Sequence, residues 1–311
     1  SGGSLMLAHP LTAAEASRAG SFSWDPWGLA AILAASTTYA LGLAALRRAG
    51  VRPAAVRGWQ IAAYAGGVLT LVVALVSPLD SLSDFRFAAH MSQHELLMVV
   101  AAPLMVLGRP FFVYLWALPV AWRKRVAAVL ATPSFKVTRE FFAAPLLVLT
   151  LHAVVRWVWH IPALFEGAMQ NDALHAFQHF TFFASAAWLW WTVLHGRFGR
   201  AGYGVGLLFV FVTAFHTSLL AALLTVAPEG FYPIYAERGL DTGAELLEDQ
   251  ELAGLLMWVP SAVLLLVSGL ALFIAWLGEA ERRARRADAL RQRHLLEAKE
   301  PASPRITEEI A

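Results

Sequence analysis

The sequence predicts an all-α integral membrane protein: a seven-transmembrane-helix bundle with its N-terminus outside and its C-terminus in the cytoplasm. Three observations predict it. The 311 residues are 58% hydrophobic and 15% charged, whereas a soluble domain is about 45–50% apolar and about a quarter charged. Seven stretches reach the length of about 20 mostly apolar residues that crossing a hydrocarbon core requires. Arginine and lysine crowd alternate connections between those stretches, the distribution expected of loops retained on the cytoplasmic side.

The spans are read at 27–46, 59–79, 87–108, 141–160, 173–194, 203–226 and 252–277. Between the third and fourth lies FFVYLWALPVAW, residues 111–122. It follows Gly-Arg-Pro, is short, and ends in Arg123, Lys124 and Arg125, so it reads as an interfacial helix near 111–125 on the inner surface. No internal repeat is evident. Residues 1–26 form an N-terminal segment outside the membrane, 27–278 one seven-span membrane domain, and 279–311 a charged cytoplasmic tail, helical at first and then frayed. The opening SGGSLMLAHP has neither a basic start nor an apolar core, and so does not read as a signal peptide.

Charge fixes the expected orientation. The first loop carries Arg47, Arg48, Arg52 and Arg57, and the third Arg109, Arg123, Lys124, Arg125, Lys136 and Arg139. The fifth carries Arg197 and Arg200, and the tail Arg282, Arg283, Arg285, Arg286, Arg291 and Arg293. The alternate loops are poor in base. The second has Asp80, Asp84 and Arg86; the fourth has Glu166; the sixth sets Glu229, Glu237, Asp241, Glu245 and Glu248 against Arg238. The formal net charge is only +2, which argues against a nucleic-acid partner, and the expected solvent is the lipid bilayer. The chain has no cysteine, which excludes disulfides and thiolate metal sites.

Seven of the ten histidines fall within spans three to six. His90 and His94 occupy the first turns of span three in FAAHMSQHELL, and four-residue spacing puts them on one helix face. His175 and His179 repeat that spacing at the start of span five, after Asn171-Asp172 as an N-cap. His152, Arg156 and His160 form a stripe along span four. His216 lies in span six, and Asp249 at the outer start of span seven. Ionisable groups at membrane depth are costly and face a bundle interior or a water-filled cavity. Two His-x-x-x-His pairs at matched depth, with a further histidine and an aspartate nearby, read as a site built between helices. Imidazole suits copper, zinc and haem iron. Without thiolates, histidine with Met91 or Met98 favours copper, and Asp249 as a ligand would admit zinc. The plainer readings are a hydrogen-bonding role for His152, an interfacial role for His160, filling by Met98 and Met105, and an ion pair between Arg156 and Glu95.

Four stretches carry a resemblance: SPLDSLSDFRFAAHMSQHELLMVVAAPLMVLGRP (77–110), WHIPALFEGAMQNDALHAFQHFTFFASAAWLWW (159–191), FHTSLLAALLTVAPEGFYPIY (215–235) and EDQELAGLLMWVP (248–260). Over about residues 25–278 the chain resembles the multi-span CtaG family of bacterial cytochrome c oxidase assembly factors, distinct from the single-span, cysteine-bearing copper chaperone that shares the name. The resemblance implies a multi-pass protein of the bacterial inner membrane, where the outside N-terminus read from the loop charges would be periplasmic. It implies an assembly factor or metallochaperone rather than an enzyme, one that helps insert copper into the catalytic subunit of a haem–copper oxidase. A periplasmic copper donor is the implied supplier. By motif, His90, His94, His175, His179, His160, His216 and Asp249 are the implied metal residues. The rival readings are a haem-binding membrane redox protein, a membrane copper metalloenzyme, and a transporter or proton channel using the same polar cluster.

Overall fold

The computed structural model describes residues 21–299 apart from 23, 51–54, 196–201, 239 and 241–242. Arg52, Arg197, Arg200, Asp241, most of the expected N-terminal segment and the last part of the tail lie outside the described residues. Among the described residues all regular structure is helical. Helix α1 (Pro26–Arg48) starts where the Asp25 carboxylate accepts hydrogen bonds from Trp27 N and Gly28 N, with Pro26 in the first turn. Arg47 and Arg48 lie in its last turn, where the partial negative charge of the carbonyls favours cations. Helix α2 (Gly58–Leu75) is followed by the short α3 (Pro78–Ser83), capped by the Ser77 hydroxyl.

Helix α4 (Phe87–Leu107) carries the first histidine pair. A π-helical turn at Leu96–Ala101 interrupts it, immediately after Glu95. Such turns widen the backbone ladder and recur at functional sites. Here Trp190 Nε1 donates to Met98 O at 2.9 Å, pairing a carbonyl inside the widened turn. Helix α5 (Pro110–Ala117) leaves α4 at 61°, with the break at Arg109, which holds the left-handed conformation at φ 56°. Helix α6 (Val120–Leu130) follows. The stretch expected as one interfacial helix near 111–125 is therefore divided: Leu118 is extended at ψ 145° ahead of Pro119, as the proline ring requires of its predecessor. Helices α6 and α7 (Pro133–Phe142) bury no residue against the rest of the chain.

Helix α8 (Pro145–Trp159) bends 52° from α7, and α9 (Pro162–Met169) leads to α10 (Asp172–His195), which carries the second histidine pair. Helix α11 (Tyr203–Val226) and the short α12 (Ile234–Glu237) precede α13 (Gly243–Lys299). The 57 residues of α13 would extend about 85 Å at the α-helical rise. Its end, past Glu279, carries exposed pairs such as Arg283–Glu279 and Arg285–Glu281, which are worth little each.

Among the described residues, four helices are long and apolar enough to cross a membrane: α1, α2, α11 and α13. Counting each bent pair, α4 with α5 and α7 with α8, as one span raises the number to six. The expected fifth span coincides with α10. That helix has the length, at 24 residues, but its histidines and Gln178 keep it out of the apolar set. The several apolar helices mark a multi-pass helical membrane protein.

Small residues set the closest approaches, as packing between helices in lipid demands. A Cβ on Gly254 of α13 would lie 2.2 Å from Thr225 Oγ1 and 2.8 Å from Ala221 O of α11. A Cβ on Gly42 of α1 would lie 2.1 Å from Val113 O of α5. Near the other end of α4, Tyr39 stacks on Tyr64 with centroids 3.6 Å apart and donates to Gly108 O, which ties α1 and α2 to the α4–α5 break.

Candidate metal centre

The site is assembled by the first turns of α4 and α10. Asp249 of α13 sets the start of α4: its Oδ2 accepts from Phe87 N at 2.6 Å and from Ala88 N at 3.3 Å. These amides belong to the unpaired first turn of the helix, which carries partial positive charge, so a buried carboxylate satisfies both needs. Asn171 does the same for α10, accepting from Leu174 N at 3.0 Å. Each helix thus begins just ahead of its histidines, and the two pairs face one another.

Ring centroids are 4.4 Å apart for His90–His94, 4.2 Å for His175–His179, 5.1 Å for His90–His175 and 5.3 Å for His94–His179. Ligand nitrogens of His90, His175 and His179 all lie within 4.8 Å of one another. His90 and His94 are buried, at 0% and 3% exposed, and Phe165 and Phe182 close over their rings at 5.0 and 4.5 Å. Both ring nitrogens of His90, both of His94, and Nε2 of His175 and of His179 are buried with no hydrogen-bond partner among the described residues. Buried polar atoms are ordinarily paired. The ligand nitrogens of His90, His175 and His179, close enough to share one atom, fit a shared cation, and His94 adjoins them.

The remaining expected residues divide. His160 Nδ1–H donates to Arg156 O at 2.6 Å, which leaves Nε2 to carry the lone pair, and that nitrogen is buried and unpartnered. Tyr232 O–H donates to His160 O at 2.8 Å and fixes the turn after α8. Burial pushes the phenols of Tyr232 and Tyr235 above their ordinary range, so both remain donors, Tyr235 to Ser83 O. His216 is not brought into the cluster: its ring packs against His152, centroids 5.7 Å apart. Asp249 also stands outside the cluster, its Oδ2 occupied by the α4 amides.

The expected ion pair is present. Arg156 Nη2 lies 2.6 Å from Glu95 Oε1, and Ser261 O–H donates to Glu95 Oε2 at 2.6 Å. The three link α8, α4 and α13 directly below the histidines. Gln93 and Gln178 escaped sequence reading. Gln93 Nε2 donates to Ala74 O at 2.7 Å and also reaches Asp80, and so joins α4 to α2 and α3. Gln178, 0% exposed, sits between the two α10 histidines with both amide atoms unpartnered among the described residues. Its place one turn after His175 was a signal in the sequence, masked because glutamine is a weak ligand.

Fold and site together define a class: multi-pass helical membrane proteins with a buried polyhistidine centre. The chain belongs to the family described as cytochrome c oxidase caa3 assembly factor (Caa3_CtaG), whose model matches residues 37–279. Two uncharacterized proteins, from Mycobacterium bovis and Mycobacterium tuberculosis, are each 26% identical over 261 residues. The match covers 80% of this chain and 38% of each relative, so the chain spans well under half the length of the curated relatives it matches. No solved structure matches it.

Two variants test this geometry. Glu95→Ala leaves Arg156 buried without its carboxylate and is expected to cost about 3–5 kcal/mol of stability, read as a lowered unfolding midpoint in detergent. Glu95→Ala combined with Arg156→Met is expected to recover most of that loss. Asp249→Ala is expected to cost about 1–3 kcal/mol by stripping two buried amides of their acceptor. Asp249→Asn, which keeps an acceptor oxygen, is expected to cost less; equal losses in the two would show that capping is not the role of this side chain.

Proposed function

We propose that this protein assists assembly of a haem–copper oxidase by taking up copper at His90, His94, His175 and His179, with His160 at the margin, and passing it to the catalytic subunit. The copper is cargo. The single observation that carries the reading is the convergence of two His-x-x-x-His pairs with six buried, unpartnered ring nitrogens. The family of assembly factors for a copper-bearing oxidase supports the choice of cargo. So does ligand chemistry: imidazoles without thiolate suit copper, which also heads the affinity order of the divalent metals. Neutral ligands, with His175 partly exposed at the rim, allow release as well as capture. The role is that of a carrier rather than an enzyme.

The topology proposed with it places seven spans in a bacterial inner membrane, α10 among them, the N-terminus and the histidine centre on the periplasmic side, and the basic α6–α7 segment and the tail in the cytoplasm. The distribution of Arg and Lys supports this. A periplasmic copper donor would then load the centre from outside. One observation favours a second reading. A cavity of about 480 Å³ between α1, α2 and α10 reaches His179 and is lined by Gly28, Ala31, Ala35, Phe180 and Phe183. Its volume and aromatic walls would accept part of a haem, with His179 as an axial ligand.

Metal analysis with an optical spectrum on one purified sample separates the two. The copper reading expects copper in the wild type, none at this centre in the His90→Ala/His94→Ala double variant, and no Soret band. Copper content unchanged in that variant contradicts it, and a Soret band selects haem. Topology is tested independently, because the chain has no native cysteine. Glu229→Cys is expected to react with a membrane-impermeant maleimide in intact cells, and Arg123→Cys only after permeabilisation. The reverse pattern inverts the orientation.

A further inference from the structure

Helices α6 and α7 bury nothing against the rest of the chain, yet they are far from polar. Trp122 is 57% exposed, Val137 68% and Phe141 62%. Exposed apolar side chains gathered in one place mark an interaction surface. The same stretch carries Arg123, Lys124, Arg125, Lys136 and Arg139 against a single acid, Glu140. Among the described residues none of the five bases is ion-paired.

Both helices are two-sided. At about 100° per residue, Phe135, Val137, Phe141 and Phe142 share one side of α7, and Lys136, Arg139 and Glu140 the other. Thr138 falls on the apolar side, where its hydroxyl donates to Ser134 O at 3.1 Å and so needs no water. In α6, Trp122, Val126, Val129 and Leu130 share a side, with Arg123 and Arg125 at its two edges and Lys124 opposite. The edge arginines lie against indoles. Arg123 Cζ is 4.0 Å from the Trp116 ring centroid and Arg125 Cζ 5.2 Å from that of Trp122. A guanidinium stacked in this way keeps its N–H edge for a phosphate oxygen, and tryptophan itself favours headgroup depth.

The tethers decide what covers these faces. Helix α6 follows α5 after Leu118 and Pro119, and α7 leads through Ala143 and Ala144 into α8. Both neighbours belong to apolar bent pairs, so links this short hold α6 and α7 at the boundary of the membrane. Helix α7 turns 52° from α8, and its charged side keeps it from continuing that helix through hydrocarbon. Apolar sides then face acyl chains and basic sides face headgroups, where an excess of base selects negative charge.

We infer that α6 and α7 lie along the bilayer surface and gather anionic phospholipid headgroups through Arg123, Lys124, Arg125, Lys136 and Arg139. The inference is independent of the copper reading.

The test uses the full chain in phosphatidylcholine nanodiscs. The chain has no cysteine, so Val137→Cys places a single fluorophore on the apolar side of α7. The nanodiscs are doped with nitroxide-bearing phosphatidylglycerol or with the same amount of nitroxide-bearing phosphatidylcholine, and the quenching is compared. Phosphatidylglycerol is expected to quench about fivefold more effectively at low salt, and high salt is expected to bring the two lipids to parity. With all five bases changed to Gln, parity is expected at both salts while quenching by lipid persists. The salt series on the unchanged bases reads the same interaction without relying on how that variant folds. A fluorophore at Glu229→Cys, remote from α6 and α7 in the chain, is expected at parity throughout. Equal quenching by the two lipids at low salt overturns the headgroup recognition. Quenching by neither lipid overturns the surface placement and leaves the apolar sides to a protein partner. A preference that survives high salt, or that appears equally at Glu229→Cys, overturns the role of these bases.

Discussion

The structure turns on one constraint: a polar group buried in a helix bundle within hydrocarbon must find its partner inside the protein. Most do so here. Asp249 meets two amides of α4, Glu95 meets Arg156 and Ser261, Gln93 meets Ala74 O, and Trp190 meets a carbonyl in the π-helical turn. Among the described residues the histidine nitrogens are the largest group that does not, beside the Gln178 amide, Gln93 Oε1 and Arg156 Nε. Six of those histidine nitrogens, from His90, His94, His175 and His179, belong to the two facing pairs.

The satisfied groups explain how the histidines are held. Asp249 fixes the first turn of α4, the Glu95–Arg156–Ser261 link clamps α4 to α8 and α13, and Gln93 ties it to α2 and α3. Helix α4 is thereby fastened on several sides just above and below His90 and His94. Helix α10 is fastened by Asn171 at its start and by Trp190 further along. The π-helical turn directly beyond Glu95 shifts the register of the rest of α4 relative to the histidine face. Helix packing further out rests on close approaches at glycines such as Gly254 and Gly42.

Much of this was legible in the sequence, and what was not has physical causes. Four-residue spacing is a local property, so the pairing of His90 with His94 and of His175 with His179 followed from helical geometry alone. The Glu95–Arg156 pair was legible because two opposite charges at membrane depth have few alternatives. Asp249 is implied as a metal residue by the family motif; that its Oδ2 faces the α4 amides depends on how α13 crosses α4, which no local pattern encodes. The pairing of His216 with His152 depends in the same way on the α8–α11 crossing. Span counting is least secure at α10, where the residues that build the site also lower the apolar character that marks a span. The division at Leu118–Pro119 was written in the proline, but the aromatic run around it reads equally well as one interfacial helix.

The proposal that the four clustered histidines share one copper ion is met most directly by X-ray absorption at the copper edge on the copper-loaded protein. The account predicts a nearest shell dominated by imidazole nitrogen, with the multiple-scattering signature of histidine rings, which weakens when His179 is replaced by alanine. A shell without imidazole scattering, or one indifferent to His179, would contradict it.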